Sequence, residues 1–129
     1  MYEIRKAIPR GMLFLYDRNG KDIVIPDYDP HQTVVASSNA ISIATISDKD
    51  GEVDIRICFG EDSFSSEIYK IFSGPLSVDT ETLSICSMGD EKIASVKTRS
   101  RNPVIEIYSN KIHFPSLIVI LILQDKVVK

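Results

Sequence analysis

The 129 residues carry a net charge of −3, with 43% hydrophobic and 26% charged residues, the size and balance of one globular domain, residues 1–129, that needs no metal or disulfide staple. A slight excess of acid argues against a general nucleic-acid binder, which must neutralise many phosphates. The longest apolar run, Leu117 to Leu123, is far shorter than the roughly twenty residues of a membrane helix.

In chain order, Tyr2, Ile4 and Ile8 start a first strand, Pro9-Arg10-Gly11 breaks it, and Met12 to Tyr16 form a second. Asn19-Gly20 follows. Lying between MLFLY and DIVI, this pair predicts a hairpin returning through Ile23, Val24 and Ile25, because both residues tolerate positive φ. The string from Asp27 to Gln32 has no apolar period and reads as a surface loop, and Thr33 to Ala36 fit a short strand.

The clearest period of two lies between Ile41 and Phe59, where Ile41, Ile43 and Ala44 lead in and Val53, Ile55, Ile57 and Phe59 return. With Asp50-Gly51 between them, the two runs predict a hairpin, with Ser42, Thr45, Glu52, Asp54 and Arg56 on its wet face. Residues 60–66 (GEDSFSS) read as a loop, and Glu67 to Phe72 fit either a helical turn or a strand, closed by Gly74-Pro75. Leu76 to Val78, Leu83 to Met88, Ile93 to Lys97, Val104 to Tyr108 and Leu117 to Leu123 supply five further strands. No stretch keeps a helical period long enough to cover a parallel sheet. The expected fold is all-β, an antiparallel β-sandwich of about eight to ten short strands.

No arrangement of residues has the spacing of a catalytic, metal or cofactor motif, so no catalytic residue, metal ligand or cofactor is assigned. The turn Asp48-Lys49-Asp50-Gly51-Glu52-Val53-Asp54 is rich in oxygen ligands, but a calcium loop would need ligands where Ile46 and Ile57 stand. A hairpin turn explains it better; calcium between loops, on Asp27, Asp29 and Asp48, has no specific support. His31 and His113 lie in loops with no nucleophile elbow to serve. Cys58 and Cys86 sit within strands far apart in the chain, as buried free thiols would in a reducing, cytoplasmic setting. No stretch near Met1 resembles a secretory signal.

Charge is unevenly spread. Between residues 45 and 90 the acids Asp48, Asp50, Glu52, Asp54, Glu61, Asp62, Glu67, Asp79, Glu81 and Asp90 face only Lys49, Arg56 and Lys70. Beyond residue 90 bases dominate, notably Lys92, Lys97, Arg99 and Arg101, with no aromatic between them on which a base could stack. The acidic segment suits a basic protein partner, with Asp48, Asp50, Glu61, Asp62 and Phe64 as contacts, charges at the rim and the aromatic near the centre. Tyr28, Tyr69 and Phe72 are further aromatics in or beside loops. Exposed edge strands would also allow two copies to pair.

The segments AISIATISDKDGEVDIRICFG, IYKIFSGPLSV and LSICSMGDEKIASVKTRSRNPVIEIYS resemble the competence-protein ComJ family over about residues 33–109. The likeness lies in the order of strands, in Pro75-Leu76-Ser77-Val78 and in a last strand close to Tyr108. It implies a small β-sandwich that binds and inhibits a nuclease or related toxin, as an immunity protein does, without catalytic residues. The alternative is an accessory sandwich module binding a small molecule or carbohydrate, with tyrosine or phenylalanine platforms in a chain that has no tryptophan.

Overall fold

Alternation of inward aliphatic and outward polar side chains builds two facing sheets in a computed structural model that describes residues 2–60 and 68–123. Ten strands lie among those residues: β1 Tyr2–Lys6, β2 Met12–Tyr16, β3 Val34–Ala36, β4 Ala40–Ala44, β5 Val53–Phe59, β6 Tyr69–Pro75, β7 Thr82–Ser87, β8 Glu91–Lys97, β9 Val104–Ser109 and β10 Leu117–Leu123. One sheet has the order β1-β5-β10-β9-β6 and the other β3-β4-β2-β7-β8. The all-β sandwich is therefore as expected. The pairing is antiparallel except between β5 and β10, which run parallel in register Ile118↔Ile55 and Ile120↔Ile57.

The dry interior is mostly isoleucine. Ile55 and Ile57 of β5, Ile105 and Ile107 of β9 and Ile118 and Ile120 of β10 face Leu13, Leu15, Ile41, Ile43, Leu83 and Ile85 of the other sheet, all fully buried. β-Branched side chains suit this role, being stiff at χ1 and filling a pleated surface well. Cys58 and Cys86 are buried thiols on opposite sheets, not joined in a disulfide. Among the described residues no helix is long and apolar enough to cross a membrane.

Four local expectations are corrected. The run from Ile41 to Phe59 is not a hairpin: β4 pairs with β2 and β3, β5 pairs with β1 and β10, and residues 45–52 carry the chain from one sheet to the other. Ser42 and Thr45, expected on a wet face, are consequently buried. Ile23 to Ile25 form no strand. Asn19-Gly20 does turn the chain, with Gly20 N–H donating to Asp17 O (3.0 Å), but the chain then runs as an irregular strap to β3. Leu76 and Val78 are buried, but residues 76–78 join no strand, their backbone N–H groups donating to Pro103, Ser38 and Arg101. Residues 69–75 settle the helix-or-strand question as β6, which runs through Gly74 to Pro75 instead of stopping before them.

Strand directions sort the loops by end. Residues 7–11, 45–52, 88–90 and 110–116 gather at the end where β4 passes to β5. The strap of residues 17–33 starts from the last residue of β2 at the opposite end and reaches β3 at this one, and so must travel the length of the sheet.

Candidate protein-binding surface

The strap is tied at its start. Asp17, directly after β2, is fully buried, and its carboxylate accepts from Asn19 N–H (2.9 Å), Thr80 N–H (2.6 Å) and the Thr80 hydroxyl (2.7 and 2.8 Å). Asn39 then clamps the next turn, accepting from Val24 N–H and donating to Asp22 O, both at 2.9 Å. Beyond this point the strap stands off the sheet and leaves a groove of about 600 Å³, floored by Met12, Phe14 and Ala44 and walled by Ile25, Tyr28 and Phe114.

Phe114 belongs to the loop between β9 and β10, which is fastened on several sides. Asn110 Oδ1 accepts from Ser116 and Leu117 N–H (both 3.1 Å), Ile46 N–H donates to Pro115 O (3.1 Å), and the Thr33 hydroxyl donates to Ile112 O. Pro115 is buried while Phe114 is 59% exposed, at φ 49. Tyr28 on the opposite wall is 62% exposed. Ile25, Met88 and Ile112 add further exposed apolar surface at the same end.

Across the 110–116 loop lies a second cleft, of about 630 Å³, lined by His31, Thr33, Tyr69, Lys70, Ile112 and His113 among others. Both histidines thus share one cleft, and among the described residues no carboxylate or thiol lines it. The Asp29 carboxylate accepts from the His31 backbone N–H (2.9 Å) and the Gln32 amide (3.0 Å), holding its own loop and not an imidazole. Among the described residues no three His, Cys, Asp or Glu side chains come together to hold a metal ion.

Met88 is presented by a clasp. The Tyr16 hydroxyl donates to Asp90 Oδ1 and Arg18 Nη2 to Asp90 Oδ2 (3.0 Å), which fixes the turn between β7 and β8. Burial first, then the bond to Asp90, pushes the Tyr16 phenol well above its usual range; the Tyr16 hydroxyl, then Arg18, holds Asp90 below its own. Burial also pushes the nearby Cys86 thiol up, the wrong direction for a nucleophile.

The acids expected as contacts separate. Asp48 and Asp50 lie exposed on the 45–52 connection, at the groove's end of the sandwich, with Asp50 N–H donating to Ser47 O (2.9 Å). Glu61, Asp62 and Phe64 lie outside the described residues. Other acids of that segment are spent elsewhere: Glu52 and Asp54 pair with Arg5, Asp90 pairs with Arg18, and the Asp79 carboxylate accepts from Lys21 N–H. Tyr69 is exposed in the second cleft, whereas Phe72 packs against the core. Sequence reasoning found Tyr28 and missed Phe114, Met88 and Ile25; the one local signal was an aromatic set between His113 and Pro115 in a polar loop.

The structure is similar to the crystal structure of ComJ from Bacillus subtilis, described as an inhibitor of the DNA-degrading activity of NucA, with a TM-score of 0.70 over 97% of this chain and 96% of that one. At 12% identity the likeness is one of fold, and it extends the resemblance read from residues 33–109 to nearly the whole chain. No family model matches the sequence, and no curated protein matches it either.

Proposed function

We propose that this chain is a non-enzymatic inhibitor that binds a nuclease and blocks its action on DNA. The observation that carries this reading is the fold shared from end to end with a nuclease inhibitor. Two features support it: exposed aromatics flank the groove, and the Asp48–Asp50 turn stands at the same end of the sandwich. A nuclease must attract phosphate and therefore presents cations, which carboxylates can meet and steer. Asp48 and Asp50 are the rim charges in this reading, with Glu61, Asp62 and Phe64 as additional contacts, in a reducing cytoplasm where Cys58 and Cys86 stay as thiols.

The test is a DNA-degradation assay with a nuclease encoded beside this chain's gene, and with NucA as a second probe. Stoichiometric loss of degradation on adding the chain is expected, with no hydrolysis by the chain alone. Full degradation with the chain in excess overturns the reading. In Asp48→Lys/Asp50→Lys, association at low salt should slow about tenfold and approach wild type at high salt; equal rates at every salt would remove the electrostatic part.

A further inference from the structure

We infer that the groove between Tyr28 and Phe114 seats an apolar side chain of a cationic protein partner, flanked by a lysine or arginine that reaches Asp27; this rests on the inhibitor reading and names the surface through which inhibition acts. Phe114 is the starting point. A β-carbon in the left-handed region is strained, and a residue before proline is further restricted towards extended backbone, so Phe114 at φ 49 before Pro115 meets both penalties. Burial does not offset them, because the ring is mostly in water. Glycine would hold the same turn without strain and without exposing a ring. The bonds from Ile46, Asn110 and Thr33 hold the loop in this state, so the aromatic is presented before any partner arrives. Pre-ordered aromatics around a pocket are the usual anchors of protein interfaces.

Charge selects the occupant. Asp27 lines the groove and has no hydrogen-bonded or ionic partner among the described residues, whereas its neighbour Asp29 is occupied within its own loop. Asp48 and Asp50 add carboxylates at the same end and Asp29 stands beside Asp27, against Arg10 on the groove wall, Lys49 in the turn and Lys111 in the 110–116 loop. The excess is acidic, and it complements an apolar residue beside a cation. A second copy of this chain would bring like charges together.

The experiment measures the dissociation constant and inhibition for a nuclease that the wild-type chain inhibits, using Phe114→Gly, Tyr28→Ser and Asp27→Asn, with urea unfolding of each variant. Each aromatic substitution should weaken binding at least about tenfold, and Phe114→Gly should unfold at higher urea than wild type. Asp27→Asn should weaken binding less, and its effect should fade with salt. Unchanged affinity in Phe114→Gly and Tyr28→Ser overturns the assignment, as does a weaker binder that is also less stable. Self-association of wild type that Phe114→Gly abolishes would replace the cationic partner with a second copy and equally overturn it. Failure of the inhibitor reading looks different: wild type then leaves both nucleases active, and the groove assignment falls with it.

Discussion

A carboxylate removed from water is tolerable only when its lone pairs are met, and Asp17 meets that condition with three donors from two loops. It joins the start of the strap to the Asp79-Thr80 turn, two places with no strand pairing of their own. Asp17→Ala strands the Thr80 and Asn19 N–H groups and should cost about 2–3 kcal/mol, read as a lower urea midpoint. Asp17→Asn keeps one acceptor oxygen and should fall between. Phe114 has the opposite sign. Releasing its left-handed backbone with glycine recovers about 1–2 kcal/mol of strain against roughly 0.5–1 kcal/mol of extra chain entropy, so a net gain of about 0.5–1 kcal/mol is expected by the same measurement. One residue serves stability, and the other persists at stability's expense.

Close approach between elements sets the next level. Gly11 closes the turn between β1 and β2 at φ 66, and its carbonyl accepts from Thr45 N–H (2.7 Å), so an added Cβ would drive into the Thr45 carbonyl. Gly11→Ala should therefore lose about 3 kcal/mol or more through clash and backbone strain together, and thermal unfolding would register it as a drop of many degrees. The same contact explains what the sequence concealed. Alternation in Ile41–Ala44 and Val53–Phe59 reveals strands, because period two is a local property of each run. It does not say whether Asp50-Gly51 folds them onto each other or carries the chain across the sandwich. That choice is made by distant partners, Gly11 for Thr45 and Pro115 for Ile46. The Ile23–Ile25 run misled for a related reason: Asp17 captures Thr80 and Asn39 captures Val24, so the segment becomes a strap. Leu76–Val78 alternates as a strand does, yet its bonds go alternately to two separate segments, Ser38 on one side and Arg101 and Pro103 on the other. For the site, Tyr28 was legible as an aromatic between two acids, whereas the exposure of Phe114 depends on loop ties that lie far apart in the chain.

Over the whole molecule, charges are arranged at opposite ends and across the outer faces. Asp48 and Asp50 lie at the end where β4 passes to β5, and Arg99 and Arg101 follow β8 at the other. Paired carboxylates on the outer faces make stability depend on pH. Asp90 is held below the ordinary carboxylate range by Tyr16 and then Arg18, and Glu106 by the Tyr108 hydroxyl (2.8 Å) and then Lys70 (3.2 Å), whose ammonium also lies 5.7 Å from the Tyr108 ring centre. A depressed folded-state value means the native state releases these protons more readily than the unfolded chain. Their contribution is present above the unfolded carboxylate range and is lost as pH falls through the lower folded values. Tyr16 works at the other extreme: its raised phenol contributes below the unfolded phenol range, and that contribution disappears as pH rises through its higher folded value. Urea midpoints measured from pH 7 down to pH 2 should therefore fall for wild type, and fall less steeply for Asp90→Asn with Glu106→Gln. Because both pairs lie near solvent, the difference between the curves should shrink in 1 M salt. Parallel curves at low salt would mean that neither carboxylate contributes to the acid limb, and the clasp holding Met88 beside the groove would then have to rest on packing alone.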